Sequence, residues 1–193
     1  MFSGFETYIK EQANLNDHEV QLMRSMAVER SLRRREFLLQ QGQVCRYKIF
    51  ITKGLLRAYS AGGDGSEHIV QFSPENSWIT DPESLDKGSP SNSNIDALEP
   101  SEVVLWTKKD LHYLAANIPG LKAYFDKLIS RSSYMFRQRL LSAISLTAEE
   151  KYEEFIKKFP HLLERVPLHM VASYLGVTRE TLSRIRRTQL IRK

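Results

Sequence analysis

Residues 171–185 read Val-Ala-Ser-Tyr-Leu-Gly-Val-Thr-Arg-Glu-Thr-Leu-Ser-Arg-Ile, and this stretch decides how the C-terminal part of the chain folds. Gly176 is suited to end a first helix, because glycine adopts the left-handed conformation most easily. Thr178 can then cap a second helix, Arg179–Thr188. Two short helices joined by a tight Gly-Val turn are a helix-turn-helix. Its predicted apolar residues are Leu168, Val171, Ala172, Leu175, Leu182 and Ile185.

The polar residues of the second helix share one face and suit recognition of bases. Arginine can bond a guanine edge through two hydrogen bonds, and glutamate can accept one from cytosine N4. The free N–H groups at the helix start, the Thr178 hydroxyl and the nearby His169 suit a phosphate. The pattern predicts contact with double-stranded DNA; the alternative is a solvated basic helix that only aids solubility. The face consists of Arg179, Glu180, Ser183, Arg184 and Arg187.

The charge distribution supports an anionic partner. The 193 residues carry a net charge of +5. Residues 167–193 contain six basic residues and one acidic residue, so they hold the whole excess, while residues 1–166 are neutral. A short basic segment on a neutral body is typical of proteins that bind a polyanion.

Composition excludes several other classes. No apolar run approaches the roughly 20 residues needed to cross a bilayer, and the N-terminus lacks the core of a signal peptide, so we expect a cytoplasmic protein. The single cysteine, Cys45, excludes an internal disulfide framework. The histidines show no metal-ligand spacing, and no nucleophile triad, P-loop or paired-carboxylate pattern stands out, so we predict neither a metal site nor an enzyme.

The middle of the chain has a β-rich texture. Residues 36–107 consist of short β-rich runs separated by turn residues, which predict a small antiparallel barrel or roll. The polar stretch Pro82–Asn94 is expected to be a loop. Residues 3–28 predict two helices, the second capped by Asn16 or Asp17. The fold class is therefore α+β.

Residues 120–145 predict one long helix with two apolar stripes. One stripe has the alternating spacing of four and three that marks a heptad seam, and we predict that it forms a dimer contact. The alternative is an ordinary core helix with one wide apolar face. The seam includes Leu121, Phe125, Leu128 and Met135, and the second stripe includes Ile129, Phe136, Leu140 and Ile144.

A capping-box sequence marks a boundary after the long helix. Thr147 is followed three residues later by Glu150, which predicts a new helix, Ala148–Lys158. We therefore expect three parts. Residues 1–119 form N-terminal helices and a β-roll effector domain, residues 120–145 form a dimerisation helix, and residues 146–193 form a helix-turn-helix domain.

The chain resembles the Crp/Fnr family of bacterial transcription regulators, most specifically in residues 171–185. The ending Leu-Ser-Arg-Ile-Arg-Arg at 182–187 is similar to that of Bacteroidetes-type members. The resemblance covers the whole chain in order: a jelly-roll-like β-roll (double-stranded β-helix), a long dimer helix and a C-terminal winged helix. It implies base contacts by Arg179, Glu180 and Arg184. It also implies a homodimer on an inverted-repeat operator, with RNA polymerase as a further partner.

The resemblance breaks down at the cyclic-nucleotide site. In the family, a Gly-Glu pair and a later Arg-Ser or Arg-Thr pair hold the ribose and the phosphate. The corresponding positions here are Thr80-Asp81 and Ser91-Asn92, and no arginine or lysine lies between Lys87 and Lys108. A buried phosphate without a cationic partner is unfavourable by several kcal/mol, so we do not expect cyclic AMP as effector and predict no cofactor. The candidate effector pocket comprises Trp78, Thr80, Asp81, Ser91 and Asn92.

Several alternatives remain open at this point. Only Leu190-Ile191 can begin a wing strand, which predicts a reduced wing. Cys45 is either a redox sensor activated by Arg46 or a structural thiol. Trp78 and Trp106 are interpreted as core residues rather than ligand-stacking groups. The rival functions are a small-molecule-binding module that acts through protein partners and a true cyclic-nucleotide-responsive regulator.

Overall fold

The computed structural model describes residues 1–191, with side chains up to Gln189; Arg192 and Lys193 lie outside the described residues. The helices are α1 (Phe2–Ala13), α2 (Asp17–Ser25), α3 (Pro82–Lys87), α4 (Lys108–Asn117), α5 (Pro119–Ser145), α6 (Ala148–Lys158), α7 (Leu162–Arg165), α8 (Leu168–Leu175) and α9 (Arg179–Ile191). The strands are β1 (Val28–Leu32), β2 (Phe37–Leu39), β3 (Tyr47–Lys53), β4 (Leu56–Ala61), β5 (Glu67–Ser73), β6 (Ser77–Ile79), β7 (Asn94–Ala97) and β8 (Ser101–Thr107).

The strands form the predicted β-roll. Among residues 1–191 they make two four-stranded antiparallel sheets, in the orders β1-β8-β3-β6 and β2-β7-β4-β5. Side chains of both sheets, such as Ile49, Ile51 and Leu56, form one buried apolar cluster. Gly54 makes the connection from β3 to β4 possible, because its φ is 95° and a Cβ there would lie 2.2 Å from the Ser101 Oγ.

A second cluster on the first sheet is rich in aromatic rings. Phe50 and Trp106 lie on the face opposite Ile49, because side chains alternate along a strand. The Phe5 ring of α1 lies 4.9 Å from Phe50 and 4.7 Å from Trp106, centroid to centroid. Helices α1, α2, α4 and α5 supply the rest of this cluster. The interpretation of Trp106 as a core residue agrees with this packing.

The N-terminal helices follow their local sequence, but two elements differ from the prediction. Asn16 caps α2 in a complete capping box with Glu19. Strand β1, Val28–Leu32, begins before the expected β region; it was missed because it is an exposed edge strand without an apolar repeat. The expected loop Pro82–Asn94 contains helix α3, which Asp81 caps through the Ser84 amide at 3.0 Å.

Helix α5 is as long as predicted, and the first residues of its heptad seam pack within the protomer. Leu121 is fully buried in the protomer's own aromatic cluster, and Phe125 and Leu128 pack against the same cluster. In the first turns of α5, the heptad seam therefore packs against the β-roll. Of the four residues predicted for the dimer contact, only Met135 is exposed. All four residues named for the second stripe are exposed: Ile129 61%, Phe136 52%, Leu140 62% and Ile144 76%.

A third cluster joins the last helices to the second sheet. Helix α6 begins at the predicted capping box of Thr147 and Glu150. Apolar residues of α6, α8 and α9 pack together and against Tyr59, Ile69 and Phe72 of the β-roll. None of the helices in residues 1–191 is long and apolar enough to span a membrane.

Candidate DNA-binding interface and effector pocket

The helix-turn-helix forms as its local sequence predicts. Gly176 ends α8 with a φ of 67°, and the Val177 amide donates to the Ala172 carbonyl at 3.0 Å. The Thr178 hydroxyl caps α9 by accepting from the Thr181 amide at 3.1 Å. Helix α9 continues to Ile191, so the backbone of Leu190-Ile191 extends this helix and does not begin a wing strand.

The inner faces of the two helices lock them together. Val171 and Leu182 are completely buried, and Ala172 and Ile185 are nearly so. A small side chain at Ala172 lets the helices approach closely. The crossing fixes which face of α9 points outward, because the inner positions of the helix are all occupied.

The outward face of α9 carries the predicted reading residues. Arg179, Glu180, Arg184 and Arg187 are exposed, and Ser183 is half-buried between them. Together they line one shallow concavity on the surface. No salt bridge engages any of these side chains in the part of the chain that the structure describes. The arginine forks and the carboxylate are therefore available to an external partner.

The other predicted contacts lie around this face. His169 is exposed in the first turn of α8 but does not line the concavity. Arg186 points elsewhere: it lies beside the Tyr152 hydroxyl of α6, where burial raises the pKa of Tyr152 and Arg186 acts against that rise. Arg186 is exposed and does not line the concavity.

The helix-turn-helix unit is hydrogen-bonded to the edge of the β-roll, which sequence reasoning missed. The Ser173 hydroxyl of α8 accepts from the Ile69 amide at 3.0 Å and donates to the Glu67 carbonyl. Strand β5 is an edge strand of its sheet, so it has free backbone groups to offer. Ser173 thus ties the first helix of the motif to β5.

Arg139 of α5 completes this junction. Its guanidinium donates to the carbonyls of Ile69 and Tyr174 at 3.0 Å, donates also to the Val70 carbonyl, and lies 4.1 Å from the Tyr174 ring centre. Burial lowers the pKa of Arg139. An arginine at a seam position of an apolar stripe was the available sequence signal, because such a residue needs polar partners when buried.

A charged contact lies on the other side of the unit. Arg165 of α7 is bidentate to Glu75, at 2.8 and 3.0 Å, and to Glu99, at 2.6 and 3.3 Å. Glu75 follows β5 and Glu99 lies between β7 and β8. Within one protomer, several contacts therefore connect the long helix, the β-roll and the helix-turn-helix.

The residues predicted for the effector pocket are engaged in structural hydrogen bonds. One Asp81 carboxylate oxygen caps α3, and the other accepts from the Ser91 hydroxyl. The Thr80 hydroxyl donates to the Tyr47 carbonyl at 3.0 Å. Asn92 is exposed. The negatively charged carboxylate of Asp81 thus lies at the start of α3, where it would repel a phosphate.

Two of the cations beside this segment are already paired. Lys87 forms an ion pair with Glu83 and Lys108 with Asp86, each at 2.8 Å. The Lys48 amine lies over the Trp78 and Phe125 rings, and burial lowers its pKa. Across the residues described, no cluster of His, Cys, Asp and Glu has the makings of a metal site.

Trp78 belongs to the aromatic cluster rather than to an open pocket. Its Nε1 donates to the Tyr124 hydroxyl at 2.7 Å, and the hydroxyls of Tyr124 and Tyr8 lie 3.0 Å apart. Burial is the main cause that raises the pKa of Tyr124. The placement of Trp78 in a candidate effector pocket is therefore corrected to a core position.

A cavity of about 450 Å³ opens beside β2 and β3. Its walls include Leu39, Cys45, Arg46 and Ile49, and none of the five predicted pocket residues lines it. The Cys45 thiol is buried, and its amide donates to the Ser84 hydroxyl at 2.8 Å. Burial and this bond favour a structural role for Cys45.

Comparison with known proteins agrees with this architecture. Residues 29–117 match the cyclic nucleotide-binding domain family. The structure of FixK2 from Bradyrhizobium japonicum is similar over 86% of this chain and 85% of that one, with a TM-score of 0.75 and 19% identity. The c-di-GMP-responsive global regulator CLP of Xanthomonas campestris gives a TM-score of 0.74 at 11% identity, over 91% and 92% of the two chains.

A regulator from Eubacterium rectale, assigned to the Crp/Fnr family, gives a TM-score of 0.72 at 13% identity and covers 96% of this chain and 88% of its own. No curated protein sequence matches the chain significantly. The fold is therefore that of the Crp/Fnr transcription regulators, as the resemblance implied.

Proposed function

We propose that this chain is a sequence-specific DNA-binding transcription regulator that works as a homodimer in the cytoplasm, with RNA polymerase as a further partner. The observation that carries the proposal is the outward face of α9. Arg179, Glu180, Arg184 and Arg187 are exposed there and make no salt bridge within the described part of the chain. A rigid helix-turn-helix holds them in one concavity, as direct reading of a major groove requires.

The residues divide by chemistry. Arg179 and Arg184 suit guanine edges, because a guanidinium donates two parallel hydrogen bonds. Glu180 suits the amino group of cytosine. Thr178 and His169, at the starts of α9 and α8, suit phosphates, which position the protein without reading sequence.

A second copy of the chain supplies the second reading helix. The apolar stripe of α5 is at least half exposed at Ile129, Phe136, Leu140 and Ile144, and an isolated helix face of this kind is stabilised by burial against another. Two copies related by a two-fold axis would place their α9 helices about 34 Å apart, so the operator is an inverted repeat.

We further propose that cyclic AMP is not the effector. The support is the Asp81 carboxylate at the start of α3, with Ser91 bound to it and with Lys87 and Lys108 held by other carboxylates. The family match of residues 29–117 concerns the domain and does not supply the missing phosphate partner. Titration calorimetry with cyclic AMP and cyclic GMP should show no micromolar binding; such binding would contradict this part of the proposal.

The central test is selection from a random duplex library followed by gel shift. We expect wild-type protein to enrich an inverted repeat. Arg184→Ala should weaken binding to that repeat by about 1–3 kcal/mol and relax the preference at one base position. Arg184→Lys is the matched control: it keeps the charge but loses the fork, so it should lose discrimination and keep the affinity for random DNA.

Equal binding of wild type to the selected repeat and to random DNA at several salt concentrations would contradict the proposal. The better interpretation would then be a regulatory module that acts through protein partners. The dimer is tested by light scattering on a sizing column. Phe136→Glu should give monomers, and Tyr134→Glu, an exposed aromatic residue on another face of α5, should not.

A further inference from the structure

The side chain of Lys48 is half-buried, and its amine faces two aromatic rings instead of a carboxylate. The Nζ atom lies 4.9 Å from the ring centre of Phe125 and 5.6 Å from that of Trp78. Within residues 1–189, this amine makes no salt bridge and no hydrogen bond. Burial without a counter-charge lowers the pKa of Lys48.

The chemistry of this amine differs from that of the paired lysines. Lys87 forms an ion pair with Glu83 at 2.8 Å, and the hydrogen bond in that pair raises the pKa of Lys87. A lowered pKa gives Lys48 a larger fraction of neutral amine near pH 7, and the neutral amine is the nucleophile. Burial also lowers the pKa of Lys158, but that side chain is exposed and lies over a single ring of its own helix end.

Lys48 stands where three elements of the fold meet. Lys48 belongs to β3, Trp78 to β6 and Phe125 to α5. The rings of Trp78 and Phe125 lie 5.8 Å apart, centroid to centroid, and Phe125 packs against the aromatic cluster of the first sheet. A cation is attracted to the faces of both rings. The charged amine therefore helps to hold the start of α5 against this sheet.

We propose that Lys48 is a modification site, at which a small acyl phosphate transfers its acyl group to the amine. The neutral amine attacks the acyl carbon, a C–N bond forms, and the C–O bond to the phosphate breaks. The phosphate leaves with the electron pair of that bond, and the proton of the amine passes to water. Since no carboxylate of residues 1–189 pairs with the amine, no fixed negative charge in contact with it repels the anionic donor.

The modified side chain loses its place over the rings. An acetylated amine carries no positive charge, so its attraction to the two ring faces is lost. The added carbonyl oxygen needs a hydrogen-bond donor, but the Nε1 of Trp78 already donates to the Tyr124 hydroxyl at 2.7 Å. A buried carbonyl without a donor is unfavourable, so the acetylated side chain turns towards solvent. Phe125 then loses its contact with Lys48, and the start of α5 is held less firmly.

The test treats the full-length protein with acetyl phosphate at pH 7 and follows each lysine over time by mass spectrometry. Two other lysines serve as references in the same sample: the ion-paired Lys87, and the exposed Lys127 of α5, which makes no salt bridge within residues 1–189. The matched variant is Lys48→Arg, which keeps a positive charge over the rings and offers no amine. Hydrogen exchange of residues 121–128 reports on the start of α5, and circular dichroism checks the fold.

We expect acetylation of Lys48 to be about 10-fold faster than that of Lys87 and about 3-fold faster than that of Lys127, because each unit of lower pKa raises the neutral fraction about tenfold. When Lys48 is fully acetylated, amide exchange in residues 121–128 should become about 10-fold faster than in untreated protein, because this segment then opens more often. In Lys48→Arg treated in the same way, the exchange rate should stay within about twofold of the untreated value.

Two results would overturn the proposal. Equal rates of acetylation at Lys48 and Lys127 would show that the site has no special reactivity, and this comparison needs no variant. Fast acetylation of Lys48 with equal exchange in treated wild type and treated Lys48→Arg would show that the modification leaves α5 in place. None of these measurements uses DNA, so a failure of the proposed regulatory function would leave the modification site standing.

Discussion

Arg165 joins the helix-turn-helix to the β-roll, and its replacement by methionine tests that junction. The guanidinium is bidentate to both Glu75 and Glu99. Its side chain is 26% exposed and the carboxylates 37% and 33%. Fully exposed pairs contribute about 0.2–1 kcal/mol and hydrogen bonds to buried charges about 1.5–3 kcal/mol. For two intermediate pairs we expect Arg165→Met to lower the free energy of unfolding by about 2 kcal/mol.

The effect should depend on pH with a definite sign. Burial acts to raise the pKa of Glu75, but hydrogen bonds from Arg165 and the Gly54 amide outweigh it, so its pKa lies below the ordinary 4.5. A carboxyl whose pKa is lower in the folded state stabilises the fold above its unfolded pKa, and this is lost as the pH falls through the folded value. The loss caused by Arg165→Met should be full at pH 7 and shrink below about pH 4.5.

Urea unfolding at pH 7, 5 and 4, followed by far-ultraviolet circular dichroism, measures this difference. Arg137→Met is the control, because Arg137 is exposed on α5. A loss below about 0.5 kcal/mol at pH 7 would place the Arg165 pairs among ordinary surface pairs. A loss of equal size at pH 7 and pH 4 would refute the electrostatic account and leave packing of the arginine stem as the cause.

Four further substitutions test the stability of the fold, and their effects are measured by urea unfolding at pH 7. Gly54→Ala should cost about 3 kcal/mol, because a positive φ is combined with a clash at Ser101. Gly176→Ala should lower the free energy of unfolding by only about 1 kcal/mol, because its φ is positive but a Cβ there would meet no other atom within 4 Å. Equal losses for the two glycine variants would show that the structure around Ser101 relaxes to remove the clash. Asn16→Ala should cost about 1 kcal/mol through the lost α2 cap, and no loss would mean that water replaces it. Phe5→Ala should lower the free energy of unfolding by about 4 kcal/mol, because it opens a cavity between aromatic rings. It should also broaden the change in tryptophan emission during unfolding. A loss below about 2 kcal/mol would mean that neighbouring side chains move in and fill the cavity.

The helix-turn-helix could be predicted from sequence because its determinants are local. Gly176 and Thr178 act on their own backbone, and the apolar spacing of α8 and α9 needs no distant partner. The β-roll was predictable as a class, since glycine turns recur at strand spacing. Its first strand could not be predicted, because Val28–Leu32 is exposed at the edge of the sheet. Its pairing with β8 depends on the tertiary structure and not on the local sequence.

The two stripes of α5 show where sequence reasoning ends. Both have helical spacing, and only the fold decides which one the β-roll covers. Leu121 is buried because α1 and α4 flank the start of α5, which the sequence does not display. The contacts of the candidate effector-pocket residues depend on the fold in the same way. The resemblance located Asp81 and Ser91, but not the hydrogen bond that joins their side chains.

Helix α5 couples the proposed dimer contact to the reading head. Arg139 binds backbone carbonyls of both β5 and α8, whereas its neighbours Phe136 and Leu140 lie on the exposed stripe of the same helical turns. In the proposed homodimer, a change in how two copies of α5 pair would therefore move the guanidinium that holds Tyr174. Well-packed junctions shift between discrete arrangements rather than deform continuously. In that homodimer, an effector that favours one pairing of α5 would change the spacing of the two α9 helices without any contact with DNA.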